Sequence, residues 1–261
     1  MNSVAVKDLG KTYSDGTQAL KTVDFEVKSG EGVVLLGHNG SGKSTLFKCI
    51  TGFEQPSAGS IHVNGQLIDI SDKPSLKETR KDIGMVFQHF NLIENVSVFQ
   101  NVLFGALGRV GFFAKTLAPF ASDALRKQAM ECLDRVGLSH LAKQRADKIS
   151  GGQKQRVAIA RMLMQEPKVV LADEPIASLD PKAGLEVMDL LWEIVRERNL
   201  TVICVLHQMD VALKYGERII GLKNGDVVID QKNSQLAACD LDWLYETTAE
   251  KDEGGSENGD Q

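Results

Sequence analysis

Residues 37–44 read Gly-His-Asn-Gly-Ser-Gly-Lys-Ser and match the phosphate-loop pattern G-x-x-x-x-G-K-[ST]. An apolar run at 32–36 precedes them and is typical of a buried strand, while residues 44–50 place apolar side chains at helical spacing. In this strand–turn–helix setting, glycines let backbone N–H groups face a polyphosphate, and the start of the helix adds partial positive charge. The segment therefore predicts a nucleoside triphosphate site, the alternative being a glycine-rich turn without a ligand.

The side chains and the backbone of this loop are expected to contact different parts of the ligand. Lys43 should reach the terminal phosphates, and the Ser44 hydroxyl should bind Mg²⁺. The backbone of the turn is expected to surround the phosphates through Gly37, His38, Asn39, Gly40, Ser41 and Gly42. A nucleoside triphosphate and Mg²⁺ are therefore the expected ligands.

Composition and charge narrow the class of protein. Of the 261 residues, 43% are hydrophobic and 25% are charged, as in ordinary soluble globular proteins. A net charge of -5 and a pI near 5.6 argue against a nucleic-acid partner bound by electrostatics alone. No stretch approaches the roughly 20 apolar residues of a membrane span and no signal peptide is recognisable, so we expect a cytoplasmic location. Four cysteines lack the short spacing of a metal site and are interpreted as reduced packing residues: Cys49, Cys132, Cys204 and Cys239.

The N-terminal part of the chain predicts antiparallel β-structure. Residues 1–36 and 57–70 alternate short β-rich runs with turns. Asn64-Gly65 lies between two such runs and is a strong hairpin signal, and Asn224-Gly225 gives a second one near the C-terminus. We therefore expect an N-terminal antiparallel β subdomain.

The rest of the chain predicts an α/β core interrupted by helices. Apolar strands at 169–172 and 201–206 alternate with a helix over 182–198, which implies a mainly parallel sheet flanked by helices. Residues 92–165 favour helix, and we interpret about 89–160 as a helical subdomain inserted in the nucleotide-binding core. One helix of this insert, with Ser122 as its N-cap, is expected to turn inward Leu125, Ala129, Cys132, Leu133 and Val136.

The end of the chain differs in composition from the rest. Residues 246–261 are Gly-rich and carry six acidic residues against a single basic residue, Lys251. Such a composition cannot bury enough apolar surface to order itself, so a disordered tail is predicted. We accordingly expect residues 1–245 to form a single nucleotide-binding domain.

Two adjacent carboxylates, Asp173 and Glu174, follow the apolar strand at 169–172. The carboxyl ends of parallel strands meet at the edge of the sheet where α/β proteins bind ligands. Asp173 is positioned to hold Mg²⁺, which prefers hard oxygen ligands, and Glu174 is positioned to polarise an attacking water as a general base. The alternative is a pair of solvated acids at the start of a loop.

A second glycine-rich turn, Ser150-Gly151-Gly152-Gln153, opens a long helical run. The same physics makes it a second anion site, although a simple helix cap without a ligand is the alternative. Because the two turns belong to different subdomains, they cannot easily grip one nucleotide within one chain. A head-to-tail dimer, with each nucleotide held between the first turn of one chain and the second turn of the other, resolves this difficulty.

In this order, the motifs resemble the ATPase subunit of an ATP-binding-cassette (ABC) transporter, over nearly all of residues 3–235. Residues 150–153 are similar to the family's signature motif, with Ile149 where Leu is usual. The other matches are Gln88 of the Q-loop, Ser178-Leu179-Asp180 of the D-loop, His207 as the switch histidine, and Tyr13 as the aromatic that stacks on adenine. The phosphate loop departs from similar importers at His38-Asn39, where Pro-Ser is more frequent; these positions are variable, so we expect binding to survive.

The resemblance implies a role for each matching residue. Lys43, Ser44 and Thr45 would grip the phosphates of ATP, Glu174 would activate water, and His207 would contact the γ-phosphate. The implied catalytic residues are Glu174, His207 and Lys43, and the implied metal-binding residues are Ser44, Gln88 and Asp173. The partner chain would close the site with Ser150, Gly151, Gly152 and Gln153, and Asp180 would couple the two sites.

Longer segments resemble the phosphonate importer ATPases in particular. They are 88–92, 101–109, 171–181 and 206–213. This resemblance implies transmembrane permease subunits, an indirectly linked solute-binding protein, and a peripheral position on the cytoplasmic face of the inner membrane. The solute would be phosphonate or a related oxyanion such as phosphite. Two alternatives stay open, an importer of another small solute such as an amino acid, and a soluble cassette ATPase of cofactor assembly.

One segment, residues 110–120, contains three phenylalanines, Phe112, Phe113 and Phe120. It is too short and interrupted to span a bilayer. The aromatic rings can pack internally or contact a permease, and internal packing is the favoured interpretation.

Overall fold

The computed structural model describes residues 2–110, 116–237 and 241–245, and ten strands and eight α-helices lie in these ranges. The strands are β1 Asn2–Thr12, β2 Gln18–Lys28, β3 Gly32–Leu36, β4 Ala58–Val63, β5 Gln66–Leu67, β6 Ile83–Phe87, β7 Val169–Asp173, β8 Thr201–Val205, β9 Arg218–Lys223 and β10 Asp226–Lys232. The helices are α1 Lys43–Ile50, α2 Lys73–Lys81, α3 Val98–Leu103, α4 Leu107–Val110, α5 Asp123–Arg135, α6 Gly151–Met164, α7 Pro181–Glu197 and α8 Met209–Tyr215.

The strands form two sheets. The first is antiparallel and has the order β2-β1-β4-β5, as the N-terminal β-rich pattern predicts. The second has the order β10-β9-β3-β8-β7-β6; its pairs are parallel except for β9 with β10. Strand β8 therefore lies between β3 and β7, although it comes after both in the chain.

Both predicted hairpins are confirmed. Asn64 and Gly65 have φ of 49° and 79°, and they join β4 to the antiparallel β5. Asn224 and Gly225 have φ of 52° and 82°, and they join β9 to β10. Two successive left-handed residues give the turn a twist that matches that of the flanking strands, which explains the Asn-Gly pair at both places.

Helices α3 to α6 occupy the chain between β6 and β7. Ser122 is the N-cap of α5 and accepts a hydrogen bond from the Leu125 backbone N–H (3.3 Å), as predicted. Asn101 is 1% exposed and ties down the loop before α3, since its side chain bonds both the N–H (2.8 Å) and the carbonyl (3.0 Å) of Ile93. The boundaries 89–160 for an inserted subdomain stay a prediction.

Each face of the six-stranded sheet packs on its own core. Val34 and Leu36 of β3 contribute to the core beneath α5 to α8, whereas Val33 and Leu35 contribute to the core shared with α1 and the antiparallel sheet. This follows from the alternation of side chains along a strand. Burial on both faces explains why β3 consists of apolar residues without interruption.

The predictions for individual phenylalanines and cysteines have mixed outcomes. Phe120 is 69% exposed, so the prediction of internal packing is wrong for this ring. Burial raises the pKa of the Cys49 and Cys132 thiols to about 11 and also raises that of Cys204, in keeping with reduced packing residues. Phe112, Phe113, Cys239 and the predicted tail at 246–261 lie outside the described residues. Within the described ranges, no helix is long and apolar enough to cross a membrane.

Candidate active site

The turn between β3 and α1 depends on two glycines. Gly37 has φ 153°, and a Cβ added there would lie 2.3 Å from the Leu222 carbonyl oxygen. Gly42 has φ 109°, and its Cβ would lie 2.7 Å from the Ala19 carbonyl oxygen. Since neither carbonyl can move freely, the loop keeps this shape only with glycine at both positions. The shape leaves backbone N–H groups at the start of α1 without helical partners, which is the setting in which helices bind anions.

Lys43 is held inside the loop that precedes it. Its ammonium donates to the carbonyls of Gly37 (2.8 Å) and His38 (3.0 Å) and lies 3.4 Å from Ser41 Oγ. The residue is only 5% exposed, and burial lowers the pKa of Lys43 while the charges of Glu174 and Asp173 oppose that shift. The cation is therefore already positioned by the backbone.

The other loop residues differ in exposure. Ser41 is fully buried, whereas Asn39, Gly40 and Ser44 are exposed and Thr45 is half-buried. His38 Nδ1 lies 2.6 Å from the Asn39 carbonyl, so the two residues that depart from similar importers interact with each other. Ser44 lies on the first turn of α1 and is exposed, so a ligand can reach it.

Four parallel strands end in one row at this edge of the sheet. The residues paired across the row are Leu35 of β3, Val205 of β8, Asp173 of β7 and Phe87 of β6. The residues that follow the row within two positions are Gly37, His207, Glu174 and Gln88. The register thus places the phosphate loop, the switch histidine, the acidic pair and the Q-loop glutamine at successive strand ends, as expected for α/β ligand sites.

His207 and Glu174 form a short polar contact at this edge. His207 Nε2 lies 2.5 Å from Glu174 Oε1 across the ends of β8 and β7. Glu174 has φ 45°, an uncommon conformation for a residue with a side chain, and its backbone N–H donates to the Val205 carbonyl (3.2 Å). The chain thus turns sharply after Asp173 and brings both acids to the same edge, although neighbouring strand residues normally point to opposite faces.

The electrostatics of Asp173 suit a cation. Burial raises the pKa of the Asp173 carboxyl, and the negative charge of Glu174 raises it further, while His207, Lys43 and Lys48 oppose the shift. A desolvated carboxylate beside another carboxylate gains from any added positive charge. Among the described residues, no group of three or more His, Cys, Asp or Glu side chains could hold a metal ion.

The Q-loop after Gln88 is fixed through its backbone. Phe90 and Asn91 both have positive φ, of 55° and 48°. Arg161 of α6 donates from Nη2 to the Phe90 carbonyl (2.9 Å) and from Nη1 to the Asn91 carbonyl. The buried Gln155, also on α6, donates from Nε2 to the carbonyls of Phe87 (3.2 Å) and Pro175 (2.7 Å). Helix α6 therefore holds the segments that follow both β6 and β7.

Tyr13 lies next to α1. Its hydroxyl is 3.2 Å from Thr45 Oγ1, and the Lys11 ammonium lies 5.0 Å from the centre of its ring. Lys11 is in turn held by the Glu54 carboxylate (2.5 Å). One face of the ring is thus covered by a cation that is itself held by an ion pair.

The signature turn forms a second, separate feature. Ser150 Oγ accepts from the Gln153 N–H (3.3 Å) and Gln153 Oε1 accepts from the Ser150 N–H (2.9 Å), which makes a capping box at the start of α6. A cavity of about 330 Å³ adjoins this turn, and Ser150, Gly152, Gln153 and Ala183 line it. Its lining, within the described part of the chain, includes none of residues 37–45. Gly151 instead faces Leu179 of the D-loop segment.

Asp180 also has a structural use. Its carboxylate accepts a hydrogen bond from the Ala183 N–H (3.0 Å) and caps α7, with Pro181 at the first helical position. The fold therefore brings Lys43, Asp173, Glu174 and His207 together, and it groups Ser150–Gln153 with the start of α7 elsewhere.

Sequence reasoning did not find three residues of this region, Gln155, Arg161 and Tyr245. Gln155 and Arg161 act on backbone carbonyls, and such contacts leave no pattern in the partner sequence. The Tyr245 hydroxyl lies 3.1 Å from the His207 carbonyl oxygen. An isolated tyrosine before an acidic segment carries no motif, so no signal in the sequence could have identified it.

Comparison with known proteins agrees with this geometry. The model of the ABC transporter family matches residues 20–177, which is more than half of the chain. The chain therefore belongs to the ABC transporter family, and it is an ATPase that binds nucleotide. Two relatives are similar over almost their whole length. "Phosphonates import ATP-binding protein PhnC 2" of Oceanobacillus iheyensis is 43% identical, with 94% of this chain and 96% of the relative covered. "Phosphate-import ATP-binding protein PhnC" of Mycolicibacterium smegmatis is 44% identical, with 93% and 92% covered.

A solved structure supports the fold. The dimeric post-hydrolysis state of the ATP-binding cassette MJ0796, bound to ADP and Pi, is 38% identical and gives a TM-score of 0.76. The comparison covers 88% of this chain and 98% of that one. The predicted fold class is confirmed: an α/β phosphate-loop ATPase with a mainly parallel sheet, an N-terminal antiparallel sheet and helices between β6 and β7.

Proposed function

We propose that this chain is the ATPase subunit of an importer and energises uptake of a phosphonate-type oxyanion through a membrane permease. The single observation that carries the ATPase part is the common row of strand ends, which gathers Lys43, Asp173, Glu174 and His207 at one edge of the sheet. Phosphoryl transfer requires positioning and charge stabilisation rather than covalent chemistry, and these four side chains supply both.

Three residues are proposed to hold Mg²⁺: Ser44, Asp173 and Gln88. They offer a hydroxyl, a carboxylate and an amide oxygen, which are hard donors of the kind that Mg²⁺ prefers. The desolvated Asp173 carboxylate fits a cation electrostatically. When bound, Mg²⁺ supplies positive charge that offsets the charge of the phosphate oxygens. Lys43 exchanges its contacts with the Gly37 and His38 carbonyls for contacts with the terminal phosphates.

Hydrolysis is proposed to depend on the pair of Glu174 and His207. Glu174 accepts the proton of the attacking water, and His207 contacts the γ-phosphate with its imidazole oriented by the contact of 2.5 Å. The strained backbone at Glu174, with φ 45°, aims this carboxylate along the sheet edge rather than into the core. Tyr13 stacks on the adenine ring, and Thr45 joins Lys43 and Ser44 at the phosphates.

We propose that two copies of the chain complete each site. The signature turn lines a cavity to which residues 37–45 do not contribute in the described part of the chain, so one copy does not surround a nucleotide on both sides. A head-to-tail arrangement brings Ser150–Gln153 of one copy to the phosphate loop of the other. The cassette MJ0796 bound to ADP and Pi is a dimer, which supports the pairing of two copies. Asp180, at the start of α7 beside Ala183, lies next to the signature cavity and is suited to link the two sites.

The permease is proposed to dock in a cleft of about 790 Å³. It lies between α2 and the start of the helical block, and Arg80, Asn91, Phe104 and Arg161 contribute to its lining. Phe53, on the rim, is 58% exposed. Asn91 lines this cleft and belongs to the Q-loop. A protein bound in the cleft can therefore contact the Q-loop and, through it, displace Gln88 at the end of β6. Docked in this way, the chain is held by its permease at the cytoplasmic face of the inner membrane.

The solute class rests on the relatives. Similarity at 43% identity to a phosphonates import protein supports phosphonate or phosphite, whereas the relative named for phosphate import favours inorganic phosphate as the second candidate. All of these are tetrahedral phosphorus oxyanions. The solute would be captured by a binding protein on the other side of the membrane.

The test is reconstitution in lipid vesicles of the chain with the permease and the binding protein whose genes lie next to its own. A binder loaded with phosphonate or phosphite should raise ATP hydrolysis and drive uptake of the solute, and Glu174→Gln should abolish both. Stimulation by a phosphate-loaded binder alone would select the second candidate. Stimulation by an amino-acid-loaded binder would reject the solute class, and failure of every binder to stimulate would reject the importer function.

A further inference from the structure

The segment at residues 241–245 is docked beside the active site. Leu241 and Leu244 are fully buried, and a Cβ added to Gly221 of β9 would lie 3.0 Å from Leu244 Cδ1. Lys223, at the end of β9, donates from Nζ to the Trp243 carbonyl (2.6 Å) and lies 5.0 Å from the centre of its ring. Packing and polar contacts thus fix the segment immediately before Tyr245.

Tyr245 lies beside two elements of the nucleotide site. Its hydroxyl donates to the His207 carbonyl (3.1 Å), and the nearby Gly37 backbone lowers the pKa of the phenol. Burial raises the pKa of Tyr245 above its ordinary value, so the phenol is protonated at neutral pH and available to donate. The side chain therefore bonds the peptide of the switch histidine and lies beside the first residue of the phosphate loop.

The orientation of His207 depends on its peptide. Leu206, the residue before it, donates its N–H to the Leu35 carbonyl (3.2 Å), which extends the pairing of β8 with β3. After this point β8 ends, and the chain turns into α8 at Met209. The contact of the His207 carbonyl with Tyr245 thus lies at the place where sheet pairing stops, while the imidazole meets Glu174 at 2.5 Å.

We propose that Tyr245 is a positioning residue for ATP hydrolysis, which holds the His207 peptide against the start of the phosphate loop and so keeps the imidazole on Glu174. This inference rests on the proposed function of His207 and Glu174. Tyr245 bonds the His207 carbonyl, and His207 acts on hydrolysis together with Glu174, so the effect of Tyr245 should appear in the chemical step rather than in nucleotide binding.

The first measurement compares Tyr245→Phe with wild type in the full-length chain with MgATP. The ring and its packing remain, and only the hydroxyl is lost. Removal of one such hydrogen bond should lower kcat by about 2- to 10-fold. KM for ATP and the Kd of a fluorescent ATP analogue should stay unchanged. Tyr215→Phe is the matched control. Tyr215 is the last residue of α8, and its hydroxyl donates to Asp189 of α7 (2.7 Å), so loss of this hydroxyl should leave kcat at the wild-type value.

The second measurement follows the imidazole directly. The chain has five histidines, so a sample with ¹³C-labelled histidine gives five ring signals, and His207→Ala identifies the one from His207. Tyr245→Phe should shift this signal and Tyr215→Phe should not. A lowered kcat together with a shifted His207 signal supports the inference. An unchanged kcat overturns it, and so does a lowered kcat with the His207 signal unmoved, because the loss would then not pass through His207.

His207→Ala also separates this inference from the function on which it rests. Hydrolysis at the wild-type rate in His207→Ala would refute the proposed function of His207. An inactive His207→Ala with a fully active Tyr245→Phe would refute only the positioning function of Tyr245.

Discussion

Replacement of Glu174 by glutamine isolates the charge of one carboxylate. Glutamine has nearly the same size, bears the same backbone strain at φ 45°, and can still accept from His207 across 2.5 Å, so stability should change little. The general base is lost, however, and such a base contributes about 10²- to 10⁴-fold to a rate, equivalent to roughly 2.7 to 5.4 kcal/mol of activation free energy. Nucleotide binding should be retained or strengthened, because a negative charge near Lys43 and the phosphates is removed.

The assay measures steady-state hydrolysis, the Kd for ATP and the oligomeric state with ATP in the same preparation. Glu174→Gln should bind ATP, lose most turnover and accumulate as an ATP-bound dimer. Glu197→Gln is the control, since this carboxylate bonds Arg135 (2.7 Å) on the exposed side of α7 and should leave turnover unchanged. Turnover of Glu174→Gln within about threefold of wild type would refute the assignment, because a lost general base costs far more.

Two further predictions concern the dimer and the acidic pair. Mixing Lys43→Ala chains with Ser150→Arg chains should restore hydrolysis above that of either parent, because half of the sites in a mixed dimer carry neither change; with chain exchange demonstrated, activity no higher than the parents would contradict shared sites. Asp173→Asn should raise the free energy of unfolding of the nucleotide-free protein at pH 7 in EDTA, although it removes a proposed metal ligand. Burial raises the pKa of Asp173 in the folded state, so its ionised form destabilises the fold above that pKa and the penalty disappears as the pH falls through it. The gain should therefore shrink towards about pH 4 in denaturant titrations, and a gain that grows on acidification would contradict the sign.

The parts of the fold that the sequence predicts are those set by local conformation. The Asn-Gly hairpins and the phosphate loop depend on backbone angles that few residues adopt, so their signals are read directly from residues 64–65, 224–225 and 37–44. The Ser122 cap is equally local, because its hydroxyl meets an N–H three residues later.

The pairing of strands that lie far apart in the chain cannot be predicted from the pattern of apolar residues. Apolar runs indicate that β3, β7 and β8 are buried parallel strands, but not that β8 inserts between the other two. Only this order puts His207 next to Glu174. The contact of Tyr245 with His207 spans 38 residues and involves a single hydroxyl, so neither periodicity nor motif reveals it.

The contacts of Arg161 with the Q-loop backbone have a consequence for which sequences this loop can accept. Arg161 grips the carbonyl oxygens of Phe90 and Asn91, and a carbonyl is a feature that every residue of any sequence provides. Side chains at these positions can therefore be exchanged over evolution without loosening the loop, provided that the replacements tolerate positive φ. Under the docking proposed above, a cassette built in this way meets a new membrane partner by changing the outward surface of the loop, while its catalytic edge stays the same.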